Sequence, residues 1–157
     1  LNRNFFRRAL VVAAVVSGAF GAAQRGPEIA LAAFPASGPT LNARFTLPLV
    51  DTRSVTHSAR VGLAHAFAGA PALSAAWLLS GAPAEGELER YLGAGVGLSF
   101  ADAPIRSPVL SAHALVGVRI PLADRLHAFG EASVAGSSLH SGLALGVGLG
   151  YRLGGEW

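Results

Sequence analysis

The chain has 157 residues, of which 52% are hydrophobic and 13% are charged, and it contains no cysteine. This composition excludes a disordered protein, which would be polar and highly charged, and the lack of cysteine excludes disulfides and thiolate metal sites. All twelve basic residues are arginines, and three lie in the first eight positions. The other nine balance nine acidic residues, which excludes nucleic-acid binding through surplus positive charge.

Residues 1–23 have the three parts of a secretory signal peptide. Three arginines precede an apolar segment of about a dozen residues, and small residues follow at Gly21–Ala23. An apolar segment of this length is short for crossing a bilayer, so a cleaved signal is favoured over a retained anchor. Cleavage is expected before Gln24 or Ala22. We therefore predict a mature domain over residues 24–157.

The mature chain alternates bulky apolar residues with small or charged residues, the period of two that is typical of β-strands. The first candidate, 28–34, is the weakest, and the last, 142–157, is the clearest because its many glycines would weaken a helix. Bacterial single-chain barrels have an even number of strands, with eight the smallest common case, and this favours including 28–34. The predicted strands, in chain order, are 28–34, 41–50, 55–67, 72–81, 91–100, 110–120, 125–135 and 142–157.

The connections between these segments are short. Asp51–Arg53 and Ala123–Asp124 resemble tight turns, 102–109 is the longest clear loop, and no domain boundary appears. No internal run approaches the about 18 unbroken apolar residues of a membrane helix. The sequence predicts an all-β protein: a single antiparallel up-and-down transmembrane β-barrel of about eight strands.

The composition of the two strand faces predicts which face is outside. The faces opposite the bulky ones carry Gly, Ala, Ser and scattered Arg, and lysine is absent, whereas the wet face of a soluble barrel would be rich in polar residues. We therefore expect the bulky face to meet lipid and the other to line a narrow interior. The inward charged residues are then Arg44, Arg60, Arg119, Arg125, Glu131 and Arg152.

Buried charges must be paired, so we predict that Glu131 accepts hydrogen bonds from two of these arginines. Tyr91, His113 and Phe129 are expected to fill the remaining space. The excess of arginine requires waters, backbone carbonyls or acidic loop residues as further partners. Trp77, Tyr151 and Trp157 are candidates for the aromatic girdle at the membrane interfaces, although ordinary packing would also explain them.

Two segments carry a family resemblance: VGVRIPLADRLHAFGEASV (116–134) and SGLALGVGLGYRL (141–153). They resemble the penultimate hairpin and closing strand of the small outer-membrane barrel superfamily, the group with OmpA- and OmpX-like membrane domains. The final Trp157 resembles that family's C-terminal assembly signal. The resemblance implies an outer-membrane location and contact with its lipid and assembly machinery. Gly154–Glu156 depart from the pattern, as does the absence of long external loops.

Some members of that superfamily are lipid-modifying enzymes that use His, Ser and an acid. Here His127, Glu131 and Ser133 share a face, but His127 and Ser133 are about 20 Å apart along a strand. His57–Ser58 and His140–Ser141 are adjacent in sequence, and adjacent strand residues point to opposite faces. The five histidines lack a paired metal-binding spacing, and the Gly-x-Gly-x-Gly segments lie within strands. We predict no catalytic, cofactor or metal site.

The sequence favours a non-enzymatic outer-membrane protein with a structural or envelope-interaction role, with other envelope proteins as possible partners. Short loops argue against an adhesin, and a narrow interior argues against a general porin. Two alternatives stay open. One is a barrel enzyme that modifies lipid acyl chains, and the other is a soluble periplasmic barrel that binds a small apolar ligand with its bulky face turned inward.

Overall fold

The computed structural model describes residues 26–34, 40–52, 54–66, 71–81, 88–100, 108–137 and 141–154. Among them no helix is long and apolar enough to cross a membrane. The predicted signal peptide at 1–23 lies outside the described residues. Eight strands are present: β1 Glu28–Phe34, β2 Thr40–Asp51, β3 Val55–Ala66, β4 Ala72–Gly81, β5 Glu89–Phe100, β6 Pro108–Pro121, β7 Leu126–Ser137 and β8 Ser141–Arg152.

The eight-stranded prediction is confirmed, and the short first strand at 28–34 is part of the sheet. The predicted end of β8 at residue 157 is wrong, since the strand ends at Arg152. Leu153 and Gly154 form a bend, in which the Leu153 N–H donates to the Pro27 carbonyl at 2.7 Å. The chain ends of the barrel are thus tied to each other beyond the last strand pair.

The sheet closes into a barrel because each strand pairs antiparallel with its chain neighbours and β1 pairs with β8. Starting at Ile29, the register leads through the successive pairings to Ser141 on β8, whereas Ile29 itself pairs with Tyr151. The difference of ten residues is the shear of the barrel. With eight strands, this shear gives a strand tilt of about 40°. A twelve-residue strand then rises about 30 Å, the thickness of a bilayer's hydrocarbon core.

Two connections have the tight turns expected from the sequence. The Thr52 N–H donates to the Val55 carbonyl at 2.9 Å, and the Val55 N–H donates to Thr52 Oγ1 at 3.1 Å. The Leu126 N–H donates to the Ala123 carbonyl at 3.2 Å. These turns lie at the end of the barrel where β1 begins and β8 ends, which we call the terminal end. The opposite end, where β1, β3, β5 and β7 finish, is the far end.

Side chains alternate between the outer wall and the lumen. Among the described residues, 24 large apolar side chains are exposed, and nearly all belong to the outward strand positions. The inward positions carry small residues, a few rings and buried charges. The predicted orientation, with the bulky face outside, is therefore the one the structure has. It is the reverse of a soluble barrel.

Candidate functional site

Glu131 of β7 lies at the centre of the lumen and accepts four hydrogen bonds. Arg44 of β2 donates from Nη1 to Oε2 at 2.9 Å and from Nη2 to Oε1 at 3.0 Å, a bidentate pair. Arg60 of β3 donates to Oε2 at 2.6 Å, and the Tyr91 hydroxyl of β5 donates to the same oxygen at 3.0 Å. We call Arg44, Arg60, Tyr91 and Glu131 the Glu131 bridge.

The Glu131 bridge crosses the barrel from β2 and β3 to β7, and all four side chains are buried. Rings flank the guanidinium of Arg44, with the centroid of Phe34 at 5.1 Å and that of Phe129 at 5.4 Å. Charge-assisted, bidentate bonds fix both distance and orientation. The bridge therefore links opposite walls of the barrel and obstructs its middle.

A second group of charges fills the terminal end of the lumen. Arg119 of β6 donates to Glu89 Oε1 at 2.7 Å and lies 3.4 Å from Glu28 Oε2. Arg152 reaches Glu89 Oε2 at 3.7 Å, and Nε2 of the fully buried His127 lies 3.5 Å from Glu28 Oε1. We call Glu28, Glu89, Arg119, His127 and Arg152 the terminal cluster.

Tyr91 connects the two groups. Its ring centroid lies 5.2 Å from the guanidinium carbon of Arg60 in the bridge and 4.5 Å from that of Arg119 in the cluster. A cation facing an aromatic ring is favourable, more so when water is excluded. The lumen thus holds one connected network of four arginines and three glutamates, in which each arginine contacts a carboxylate.

The glycines of β8 make room for rings that cross the lumen. A Cβ atom at Gly146 would overlap Phe34, one at Gly148 would overlap Phe129, and one at Gly150 would overlap His127. Each of these rings belongs to β1 or β7, the strands on either side of β8. The alternating glycines that the sequence shows are therefore space for neighbouring side chains.

The far end of the lumen is more open. A cavity of about 190 Å³ lies there, bounded by Arg44, Arg60 and Glu131 and walled largely by small residues. At the terminal end the remaining space is about 20 Å³, room for about one water. The Glu131 bridge and the terminal cluster separate the far-end cavity from the opposite mouth.

The structure places four of the predicted inward arginines, Arg44, Arg60, Arg119 and Arg152, in the lumen, and Arg44 and Arg60 both contact Glu131. The prediction for Arg125 is wrong: it precedes β7, lies in the turn after β6, and is exposed. Tyr91 and Phe129 are buried, while His113 is half-buried beside the far-end cavity.

Sequence reasoning missed the two carboxylates of the terminal cluster. Glu28 and Glu89, which are strand residues, pair with the remaining arginines that had been assigned to waters, carbonyls or acidic loop residues. Glu89 has the same parity as the inward Tyr91, so extending the predicted strand by two residues would have found it. Glu28 is the first residue of a strand that had been predicted, and its parity matches the inward face.

The three candidate girdle residues have different positions. Tyr151 is exposed at the terminal end of β8. Trp77 also points outward but lies midway along β4, and its Nε1 donates to His57 Nδ1 at 3.3 Å. That bond gives the outward-facing indole N–H a hydrogen-bond partner. Trp157 lies outside the described residues.

Among the described residues, His127 and Ser133 do not form a nucleophile–base pair, and His140 lies outside the described residues. His127 belongs to the terminal cluster, whereas Ser133 borders the far-end cavity on the other side of the Glu131 bridge. Such a pair must lie within hydrogen-bond reach. Within the described part of the chain, no group of three or more His, Asp or Glu side chains could hold a metal ion.

Solved structures show what this arrangement is similar to. The N-terminal β-barrel domain of Pseudomonas aeruginosa OprF superposes with a TM-score of 0.66 at 15% identity, covering 83% of this chain and 98% of that one. The chain has the fold of the small outer-membrane β-barrels. Neisserial surface protein A superposes with a TM-score of 0.51 at 12% identity, covering 85% of this chain and 99% of that one. A de novo designed transmembrane β-barrel superposes with a TM-score of 0.55 at 13% identity, covering 82% of this chain and 95% of that one. No protein-family model and no curated protein matches the sequence.

Proposed function

We propose that this chain is an integral outer-membrane β-barrel with a structural or envelope-interaction role and no enzymatic activity. The observation that carries the proposal is the pairing of an apolar outer wall with a lumen obstructed by buried charges. Exposed strand edges are prohibitive in lipid, and a closed barrel with an apolar exterior has none. Segment 141–153, which resembles the closing strand of small outer-membrane barrels, supports recognition by the outer-membrane assembly machinery.

The lumen argues against a role as a general porin. Three side chains donate to Glu131, those of Arg44, Arg60 and Tyr91. Leu78 and Leu115 pack with Tyr91 in the same part of the lumen. The cavity that the described residues enclose at the terminal end is about 20 Å³. Solutes larger than water would have to break the Glu131 bridge and the terminal cluster to pass. The outer wall and the connections, rather than the lumen, are therefore where partners would bind.

The proposal is tested by expressing the chain with its leader in a Gram-negative host and fractionating the envelope. We expect it in the outer membrane, resistant to carbonate extraction and soluble in detergent. Unboiled and boiled samples should migrate differently in gels, as closed barrels do. Liposomes containing the barrel should exclude small sugars, with a general porin as the positive control.

Other outcomes would identify the two alternatives. A folded monomer in detergent-free buffer would support the soluble barrel, and would contradict the proposal. An altered acyl composition of envelope lipids on expression, measured by mass spectrometry against a Glu131→Ala variant and an empty vector, would support the enzyme. An unchanged lipid profile together with outer-membrane fractionation supports the non-enzymatic role.

A further inference from the structure

A groove of about 880 Å³ crosses the outer wall from β3 and β4 to β8. It lies between two rows of outward residues. Each row consists of residues that are paired across neighbouring strands, and the two rows are two residues apart along each strand. One bank of the groove consists of Leu79, Leu92, Val116 and Leu145, which are aligned across β4, β5, β6 and β8. Its surface is almost wholly apolar.

Where the groove crosses β7, both rows carry small outward residues. Gly130 and Ala132 line the groove, and a Cβ atom at Gly130 would meet nothing within 4 Å. Val118 and Val147, which lie at the register of Gly130 on the neighbouring strands, belong to the other bank. A trough between branched side chains is a shape that an extended hydrocarbon chain fills well.

The dimensions and direction of the groove fit one acyl chain. From β4 to β8 the groove crosses five strands, and the usual spacing between neighbouring strands gives it a length of about 19 Å. The groove begins at Gly81, the terminal end of β4, and reaches Gly146, midway along β8. It therefore runs from the membrane boundary at the terminal end toward the middle of the bilayer, as an acyl chain of that leaflet does.

A positive charge lies at the boundary end of the groove. Arg90, the second residue of β5, is exposed on the outer wall and lines the groove close to Gly81. The described residues form no ion pair with it. Among the residues lining the groove, Arg90 is the one outward charge, whereas Glu131 points into the lumen. A guanidinium is suited to phosphate because it offers paired N–H donors in one plane.

We propose that this groove is a binding site for one anionic glycerophospholipid, with an acyl chain between the two banks and its phosphate on Arg90. The site belongs to the leaflet at the terminal end of the barrel. The inference rests on the proposed membrane location and goes beyond it, since it assigns one retained lipid where a uniform apolar wall would exchange all lipids alike.

The test is native mass spectrometry of the full mature chain, refolded in dodecyl maltoside and mixed with equal amounts of dioleoyl phosphatidylglycerol and dioleoyl phosphatidylcholine. We expect one retained lipid, with phosphatidylglycerol favoured about five-fold, the effect of one arginine near an anionic headgroup. Arg90→Gln should remove that preference, whereas Arg125→Gln, an exposed arginine in the turn after β6, should keep it.

A second pair of variants tests the groove itself. Gly130→Leu places a bulky side chain in the groove where it crosses β7 and should reduce retention of both lipids, whereas Ala112→Leu, outward on β6 away from the groove, should not. Heat-modifiable gel mobility of each variant reports folding separately from lipid binding. Equal retention of both lipids by the original chain, or an equal loss in Arg90→Gln and Arg125→Gln, would overturn the proposal. Failure of the original chain to insert into membranes would instead overturn the proposed function.

Discussion

The two halves of the lumen are built differently. From Glu131 to the terminal end, charged side chains and rings fill the interior, and almost no space remains. Toward the far end the wall is made of Gly, Ala and Ser around a cavity of about 190 Å³. Both halves are closed by the same strands with the same backbone pairing, so the difference lies in side chains alone. It indicates that the lumen's contribution to stability is concentrated in the terminal half.

The largest loss in the free energy of unfolding should come from Glu131→Ala. The substitution leaves Arg44 and Arg60 buried beside each other without their shared carboxylate. Breaking a buried ion pair from one side costs about 3–5 kcal/mol. Urea unfolding in liposomes measures this loss. Asp124→Ala in the exposed turn is the control and should leave stability unchanged. A Glu131→Ala barrel as stable as the original would show that the bridge does not hold the walls together.

Glu89→Gln tests the terminal cluster with a smaller expected loss. Arg119 keeps its contact with Glu28, and the amide oxygen of the introduced glutamine can still accept a bond from Arg119 or Arg152, so the loss is partial. A hydrogen bond to a charged group contributes about 1.5–3 kcal/mol, and we expect a loss in that range by the same urea measurement. The double variant with Glu28→Gln should lose more than the sum of the single variants, because Arg119 then has neither carboxylate. Additive losses would mean that the two carboxylates act independently.

The sequence predicted the closed barrel because each strand repeats one simple rule, apolar outside and small or charged inside. The alternation around Leu145 and Val147 sufficed for β8, and it requires no knowledge of the neighbouring strands. The central role of Glu131 could also be predicted, since it was the one acid on the inward face of a clearly patterned strand.

The partners within the network were harder to predict. Which arginine contacts Glu131 depends on register and shear, and neither can be read from alternation within one strand. Glu89 was missed because strand ends carry the weakest pattern. Arg125 was assigned inward because the predicted strand began one residue early, at a position that belongs to the turn. The groove at Gly130 and Arg90 also depends on five strands aligned in register, so single-strand patterns could not reveal it.

Close packing against the glycines of β8 predicts an intermediate loss of stability on substitution, and the same strand offers a control. Gly148→Ala places a methyl group against the Phe129 ring and the Leu31 carbonyl, so strands β1 and β7 must shift. Overpacking of this kind costs about 1–3 kcal/mol. Gly142→Ala, near the far end of β8, meets nothing within 4 Å and should change stability by less than about 0.5 kcal/mol. Equal losses of stability from both substitutions would indicate that the strand propensity of glycine, and not its packing against Phe129, sets the effect.

The smallest effect is expected in the far half, from Ser111→Ala. The Ser111 hydroxyl donates one long bond, 3.4 Å, to the Gly97 carbonyl beside the far-end cavity, where water can replace it. We expect a change within about 0.5 kcal/mol in the urea measurement, as for most substitutions outside packed or charged sites. Ser80→Ala is the matched serine in the terminal half, since Ser80 Oγ accepts a bond from Arg119 at 3.3 Å and is buried. Its loss should be larger. If Ser111→Ala lowers the free energy of unfolding as much as Ser80→Ala, side chains in the two halves of the lumen contribute equally to stability. The halves would then differ only in cavity volume.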